Sequence, residues 1–248
     1  MENLNLDSLD SITCPIHSFE TFGAVDGPGI RFIIFTQGCN LKCKYCQNRD
    51  TWAHNGGTLY SVQQVLDKID RYKNYIIPSG GGVTISGGEP LIHVDFLIAL
   101  FSELKKKNIS TAIDTSGVFY LTPNIKKIID LTDLFLLDIK CINDDVCKDL
   151  TGVSNQKELE FAEYLSEHGK HMWIRQVLVP GITDNKQDLL KLKQFLSTLK
   201  TVDKIEFLPY HDMGKFKWLD LGLKYPLEGI RVANSDDVKN AKKILEIK

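Results

Sequence analysis

The sequence alternates short apolar runs with amphipathic helical runs, and this alternation restricts the fold more than any other feature. Six apolar runs predict strands at 31–36, 83–86, 109–114, 135–139, 171–179 and 204–208. Helical patterns follow them, including 94–106, 156–168, 186–199 and 236–247. A capping box of Ser61 and Gln64 and a Thr122-Pro123 pair predict two further helix starts. Because residues 135–137 and 177–179 are continuously apolar, we expect a parallel sheet covered on both faces.

This pattern favours one fold class over its relatives. Six strand-helix units are too few for a closed eightfold barrel, so we predict an α/β fold of the partial, open (β/α)6 TIM-like barrel type with parallel strands. A doubly wound sheet is the alternative, because periodicity alone does not separate the two. We assign residues 16–248 to a single domain and residues 1–15 to an N-terminal extension whose order the sequence leaves open.

Charge and hydropathy narrow the function classes. Lysine plus arginine number 30 and aspartate plus glutamate 32, so the net charge of −2 gives no footprint for nucleic acid. No apolar run has the length of a membrane span, and the acidic first residues are unlike a signal peptide. We therefore expect a cytoplasmic protein that binds neither nucleic acid nor membranes.

Three of the six cysteines, Cys39, Cys43 and Cys46, lie within eight residues, directly after the first predicted strand. A reducing compartment disfavours disulfides, so the group indicates metal binding. A cubane iron–sulfur cluster normally takes four thiolates, and three would leave one iron open to a substrate. The alternatives are a structural zinc site with a distant fourth ligand, or three unrelated core thiols. The scattered cysteines 14, 141 and 147 are predicted to be small apolar fillers.

Other polar residues follow predicted strands at their carboxyl ends, the edge at which parallel α/β folds assemble active sites. They are Gly88 and Glu89, Asp114 and Thr115, Asp138 and Lys140, and His211, while Arg175 lies within its strand. Taken singly, each has a plain alternative, such as a loop, a helix cap, a surface lysine or an ion pair at the edge of the core.

The cysteine loop, with aromatic Tyr45 before its last cysteine, resembles the signature of the radical S-adenosylmethionine superfamily. Further segments resemble the pyruvate formate-lyase activating enzymes, which activate glycyl-radical enzymes. These are Asp-Gly-Pro-Gly-Ile-Arg at 26–31, Tyr-Cys-Gln-Asn-Arg-Asp-Thr-Trp at 45–52, Ser-Gly-Gly-Glu-Pro at 86–90, Asp-Thr-Ser-Gly at 114–117, Leu-Asp-Ile-Lys at 137–140 and Leu-Pro-Tyr-His at 208–211. The resemblance runs from about Ile16 to the C-terminus. Gln47 stands where that family often has histidine.

This resemblance implies reductive cleavage of S-adenosylmethionine at a [4Fe–4S] cluster under anaerobic conditions. The resulting 5′-deoxyadenosyl radical would abstract hydrogen from a glycine Cα of pyruvate formate-lyase. The implied cluster ligands are Cys39, Cys43 and Cys46. The implied cosubstrate residues are Tyr45, Cys46, Gln47, Asn48, Gly88, Glu89, Asp114, Thr115, Asp138, Ile139, Lys140, Arg175 and His211. Asp114, Thr115 and Asp138 would hold a monovalent cation (Na⁺ or K⁺). Asp26 and Gly27 are predicted from the residues themselves to meet the substrate peptide, because glycine lets backbones approach closely and Asp26 can accept hydrogen bonds from peptide amides; the alternative is a plain turn before a strand.

Lys42, Lys44 and Arg49 form a basic patch, either solvated loop charges or a docking site for an acidic electron donor, flavodoxin or ferredoxin. Two other functions remain open. One is activation of a different glycyl-radical enzyme, although many such activases carry a ferredoxin-like insertion with extra cysteines, and this chain has no cysteine between Cys46 and Gly87. The other is a non-catalytic, zinc-stabilised binding module.

Overall fold

The computed structural model describes residues 9–247, which divide into two compact units. The first unit comprises the described residues up to Asn40 together with Ala53–Thr115 and Tyr120–Leu136. The second comprises Leu41–Trp52, Ser116–Phe119 and the chain from Leu137 onward. The single domain over residues 16–248 stays a prediction.

The strands form one eight-stranded sheet in the order β3-β1-β2-β4-β5-β6-β7-β8. Strand β2 is parallel to β4, β4 to β5, and β7 to β8, whereas β1 runs antiparallel to both β2 and β3. The six predicted strands correspond to β2 and β4–β8, and the antiparallel pair β1 and β3 was not predicted. Their bounds are β1 Thr13–Gly23, β2 Arg31–Thr36, β3 Thr58–Ser61, β4 Gly82–Gly87, β5 Ser110–Thr115, β6 Leu134–Asp138, β7 His171–Leu178 and β8 Val202–Pro209.

The helices are α1 Val62–Asp70, α2 Lys73–Ile76, α3 Val94–Lys106, α4 Pro123–Leu131, α5 Asp144–Thr151, α6 Gln156–Glu167, α7 Lys186–Leu196, α8 Lys215–Asp220 and α9 Ser235–Leu245. The predicted capping box before α1 is present, and Thr122 caps α4 with Pro123 at its first position. The longer helices bury an apolar stripe, as α1 does with Val65 and Ile69. Helices α2, α5 and α8 are short and were not predicted.

The chain joins the sheet earlier than the predicted boundary at Ile16. Strand β1 begins at Thr13, residues 13–16 pair with β3, and the Cys14 side chain is fully buried. Residues 1–8 of the predicted extension lie outside the described residues. The strand therefore takes in the last three residues that the sequence had assigned to the extension.

Candidate active site

In the first unit, the loop after β4 is bonded to the loop after β2. Thr36 and Gly87 are in register at the carboxyl ends of these parallel strands. The Gly88 N–H donates to the Thr36 carbonyl (2.9 Å), and the Glu89 N–H donates to the Gly38 carbonyl (2.8 Å). Cys39 directly follows the second of these carbonyls. The backbone of Gly88 and Glu89 is thus tied to the segment that carries the first cysteine of the loop.

Side chains at the end of β5 are hydrogen-bonded to residues of β4 and of the loop after it. The buried Glu89 carboxylate accepts a hydrogen bond from Thr115 Oγ1 at 2.7 Å and another from the Leu91 N–H at 3.2 Å. Asp114 Oδ2 accepts one from Ser86 Oγ at 2.7 Å. The structure therefore brings together four predicted residues within the first unit: Gly88, Glu89, Asp114 and Thr115.

The predicted peptide-binding segment at Asp26 and Gly27 is held by a buried arginine. Thr84 Oγ1 donates to the Asp26 carbonyl at 2.7 Å and accepts from Arg31 Nε at 2.9 Å. Arg31 is fully buried, also donates to the Val83 carbonyl at 2.7 Å, and has its pKa lowered to about 10 by burial. The guanidinium therefore remains charged at neutral pH. It supports the segment through its hydrogen bond to Thr84. The sequence reasoning gave Arg31 and Thr84 no role, and an arginine opening an otherwise apolar strand was the available signal.

In the second unit, the part of the cysteine loop from Leu41 onward contacts the C-terminal end of α5. The Lys42 N–H donates to the Thr151 carbonyl and the Lys44 N–H to the Leu150 carbonyl, both at 2.8 Å. The last carbonyls of a helix have no partner within the helix, so the loop satisfies two of them. Cys43 is buried, and its carbonyl accepts the Cys46 N–H at 3.0 Å.

Two tryptophans donate to Cys46. Trp52 Nε1–H lies 3.2 Å from Cys46 Sγ, and Trp218 Nε1–H lies 3.3 Å from the Cys46 carbonyl oxygen. Burial raises the pKa of the Cys46 thiol, and the hydrogen bond from Trp52 opposes that shift. A sulfur that already receives an N–H donor is suited to the thiolate form that binds iron. The loop thus fits an iron–sulfur cluster in donor type and in spacing.

The remaining cysteines have different surroundings. Cys14, Cys141 and Cys147 are buried, and burial raises the pKa of Cys14 to about 12 and that of Cys141 to about 11. Their thiols stay protonated at neutral pH, as expected of apolar fillers. Within residues 9–247, no three His, Cys, Asp or Glu side chains form a site for a single metal ion. The thiolates of a cubane bind different iron atoms, and so they do not converge on one point.

Asp138 and Lys140, at the end of β6, form an ion pair through Asp138 Oδ2 and Lys140 Nζ. Lys140 Nζ also lies 6.0 Å from the centre of the Tyr45 ring. Beneath them, Glu158 is completely buried and accepts the Lys140 N–H at 3.1 Å, and burial raises the pKa of its carboxyl group well above the usual range. The second unit therefore brings Tyr45, Asp138 and Lys140 together. Glu158 was not predicted, because a glutamate in a helix is ordinarily exposed.

Gln47 joins the cysteine loop to the segment after β8. Its Nε2 donates to the His211 carbonyl (2.8 Å) and the Tyr45 carbonyl (3.1 Å), and its Oε1 accepts the Gly214 N–H at 2.7 Å. A carboxamide has donor and acceptor on one end, whereas a neutral imidazole divides them between two ring nitrogens. Gln47 therefore bonds to the His211 carbonyl and to the Gly214 N–H from one end of its side chain.

Arg175 forms an ion pair with Glu206 on the neighbouring strand, with Nε 3.2 Å from Oε2. An ion pair was the alternative to a role in cosubstrate binding in the sequence analysis. The Arg175 carbonyl accepts the N–H of the buried Ile139 at 2.9 Å. Asn48 Oδ1 lies 3.4 Å from Lys217 Nζ. A role for these residues toward the cosubstrate stays a prediction.

The predicted basic patch is partly neutralised. Lys44 Nζ pairs with Asp149 at 2.6 Å, whereas Lys42 Nζ and the Arg49 guanidinium lie 4.7 Å and 4.2 Å from the centre of the Trp52 ring. Lys42 is exposed. The patch thus presents two cations over an aromatic ring beside the cysteine loop.

Comparison with known proteins places this site in a family. The profile of the Radical SAM superfamily matches residues 33–192. The chain is 49% identical to the pyruvate formate-lyase-activating enzyme of Streptococcus mutans, over 95% of this chain and 92% of that protein. It is 44% identical to the pyruvate formate-lyase 1-activating enzyme of Escherichia coli K12, over 95% of this chain and 96% of that protein.

A solved structure supports the fold. Streptococcus suis SuiB bound to S-adenosylmethionine superposes with a TM-score of 0.65 and 18% identity, over 89% of this chain and 47% of that one. The predicted fold class, an α/β partial, open TIM-like barrel, is confirmed, and the observed open sheet is mostly parallel. None of the helices described is long and apolar enough to cross a membrane. By profile and by identity over nearly its whole length, the chain belongs to the radical SAM superfamily and, within it, to the family of pyruvate formate-lyase-activating enzymes.

Proposed function

We propose that this protein installs a glycyl radical in pyruvate formate-lyase. The observation that carries the proposal is the 44–49% identity to enzymes named for activating that lyase, over 95% of this chain. Cys39, Cys43 and Cys46 would hold the [4Fe–4S] cluster that the family implies. When bound and reduced by an external donor, that cluster would supply the electron for cleavage of S-adenosylmethionine to methionine and a 5′-deoxyadenosyl radical, and this radical would take a hydrogen atom from a glycine Cα of the lyase.

The protein's own residues bind and orient the cosubstrate. We assign the methionyl amine to the Gly88-Glu89 backbone, because the Glu89 carboxylate is already used by Thr115 and Leu91. The carboxylate end would meet Lys140 and Arg175, and the adenosyl portion His211. Nδ1 of His211 is buried, with no hydrogen-bond partner among the described residues, so it can serve a ligand. Tyr45, Gln47, Asn48 and Ile139 complete the set of proposed contacts.

The monovalent cation belongs to the same proposal. Asp114 and Thr115 supply hard oxygen atoms from the end of β5, and Asp138 supplies them from the end of β6. Oxygen ligands of this kind suit Na⁺ or K⁺, which would neutralise the carboxylates beside a negatively charged cosubstrate group.

Asp138→Ala is expected to weaken S-adenosylmethionine binding by about 10- to 100-fold, the equivalent of one charge-assisted interaction. The substitution removes a proposed cation ligand and leaves Lys140 without its carboxylate partner. Isothermal titration of the reconstituted enzyme measures the affinity, and iron content should stay unchanged. The control is Asp236→Ala, which breaks an Asp–Lys pair on the exposed side of α9 and should leave the affinity unaltered. Equal affinities in wild type and Asp138→Ala would return Asp138 to a structural role.

Asp26→Ala is expected to slow radical transfer to the lyase by about 10-fold, through loss of a hydrogen bond to the incoming peptide. Asp26 and Gly27 stand at a turn that Thr84 and Arg31 hold through the Asp26 carbonyl, and Asp26→Ala keeps that backbone acceptor. Uncoupled cleavage of S-adenosylmethionine should therefore be spared. Asp26→Asn, which keeps a hydrogen-bonding group, should be affected less. If both activities fall together, or neither falls, the peptide site lies elsewhere.

The electron donor is proposed to be a flavodoxin or ferredoxin that docks near Lys42 and Arg49. Acidic donors complement exposed cations next to the group that they reduce. The cytoplasm is the proposed location, because its reducing conditions keep the loop thiols free to bind iron.

The function is tested by anaerobic reconstitution. The loaded, reduced enzyme is mixed with S-adenosylmethionine and pyruvate formate-lyase, and electron paramagnetic resonance should show a glycyl radical on the lyase. Iron and sulfide must be present in the purified protein. Zinc alone in a colourless protein would instead support the binding-module alternative, and a radical formed only on another lyase would support the other activase.

A further inference from the structure

We propose that Trp52 raises the reduction potential of the cluster by donating its indole N–H to Cys46 Sγ. The inference rests on the proposed function in one respect, namely that Cys46 binds the cluster. It goes beyond that function, because it assigns the control of electron entry to a residue that does not itself bind the cluster or the cosubstrate.

The hydrogen bond from Trp52 to Cys46 depends on the side chains that pack around the Trp52 ring. Trp52 follows the short 3-10 turn Arg49–Thr51 and is 8% exposed. Its ring meets Trp218 edge to face at 5.2 Å between centroids, and the Arg49 guanidinium covers its face at 4.2 Å. These neighbours hold the indole with Nε1 3.2 Å from Cys46 Sγ. Indole nitrogen can only donate, so the direction of the bond is certain.

A donor at this sulfur favours the reduced cluster. Reduction passes one electron from the donor protein, which is oxidised, to the cluster, which gains negative charge shared by its thiolate ligands. An N–H aimed at a ligand sulfur stabilises that added charge more than it stabilises the oxidised state, and the potential rises. Burial strengthens the effect because little water screens it. Arg49 adds to it, since a cation over the indole face draws electron density from the ring and strengthens the N–H as a donor.

Trp218, in helix α8, provides a natural comparison. Trp218 is 6% exposed, and its indole N–H lies 3.3 Å from an acceptor on the same residue, Cys46. That acceptor is the backbone carbonyl and not the sulfur. Trp52 and Trp218 therefore match in side chain, burial and target residue, and differ in whether the donor reaches a cluster ligand atom.

The test compares Trp52→Phe with Trp218→Phe in reconstituted enzyme. Iron and sulfide are quantified first, and the midpoint potential is then measured by redox titration, with the electron paramagnetic resonance signal of the reduced cluster as readout. We expect a more negative midpoint for Trp52→Phe than for wild type, and a much smaller shift for Trp218→Phe. An unchanged midpoint in Trp52→Phe, or equal shifts in both variants, overturns the proposal. A wild-type protein that holds no iron overturns the proposed function, and this inference with it.

A second measurement separates the loss of the N–H donor from the loss of packing that Trp52→Phe also causes. The chain has three tryptophans, so a Trp173→Phe/Trp218→Phe background leaves Trp52 as the remaining one. Growth with the analogue β-(3-benzothienyl)alanine then replaces the indole N–H by sulfur in a ring of almost the same shape. The midpoint should shift to more negative values than in the same background with tryptophan. An identical midpoint would show that the N–H has no part in setting the potential.

Discussion

Replacing any one of Cys39, Cys43 and Cys46 by alanine is expected to abolish both iron binding and cleavage of S-adenosylmethionine. The proposed cubane would have three protein thiolates from this loop, and a cluster with only two would be poorly held. Iron content, the visible absorption of the cluster and the release of 5′-deoxyadenosine measure the loss. The effect should be complete in each variant, because the three ligands act as one unit.

The matched controls are the three cysteines outside the loop. Alanine at Cys14, Cys141 or Cys147 removes a buried thiol of the same size and leaves the loop intact. These variants should retain iron and cleavage, at a stability cost of about 1–2 kcal/mol for the small cavity. If any of the three proves necessary for iron, the cluster has a fourth protein ligand and its open position is lost.

Gly87→Ala is expected to destabilise the protein by at least about 3 kcal/mol, and with it the loop that carries Gly88 and Glu89. A Cβ at Gly87 would lie 2.3 Å from the Thr36 nitrogen and 2.5 Å from the Thr36 oxygen. Those atoms belong to the neighbouring strand, so no flexible side chain can move aside. The positive φ of 113° adds strain for any residue with a side chain. Urea unfolding of the metal-free protein measures the change.

Gly80→Ala separates strain from collision. Gly80 also has a positive φ, 71°, yet a Cβ there meets no atom within 4 Å. Its cost should be only about 1 kcal/mol, the cost of the left-handed backbone alone. Equal destabilisation by the two substitutions would mean that the strands at Thr36 and Gly87 can separate without penalty.

The parts of the fold that sequence reasoning predicted are those with strong local periodicity. Strand β2 and helix α3 were placed at their observed bounds, because continuous apolar runs and amphipathic stripes are properties of neighbouring residues. Strand β1 was missed because it alternates between buried and exposed positions and contains polar residues and a proline, so its sequence does not resemble a buried strand. Helix α5 has eight residues, too few for periodicity to be distinctive.

The positions of the candidate site residues in the fold were predictable from the sequence, and the contacts that hold these residues in place were less so. The cysteine spacing is local, and polar residues at strand ends follow from the topology of parallel sheets. The partners of these residues are distant in sequence: Trp218 is 172 positions from Cys46, and Gly214 is 167 from Gln47. Arg31 was overlooked for a different reason. Arginine side chains are usually exposed, so the sequence gives no reason to expect this one to be buried. Only the fold shows the buried acceptors, Thr84 Oγ1 and the Val83 carbonyl, whose hydrogen bonds offset the cost of burying the charge.

The attachment of the cysteine loop to the end of α5 has a consequence for how the protein survives without its metal. The amides of Lys42 and Lys44 are bonded to helix carbonyls and not to any atom of a cluster. The backbone at Lys42 and Lys44 is therefore held by the polypeptide itself. These two amides should resist hydrogen exchange even in the apoprotein. If oxygen destroyed the cluster, the loop backbone at Lys42 and Lys44 would keep its conformation. Reloading would then need only fresh iron and sulfide, with little refolding of the polypeptide.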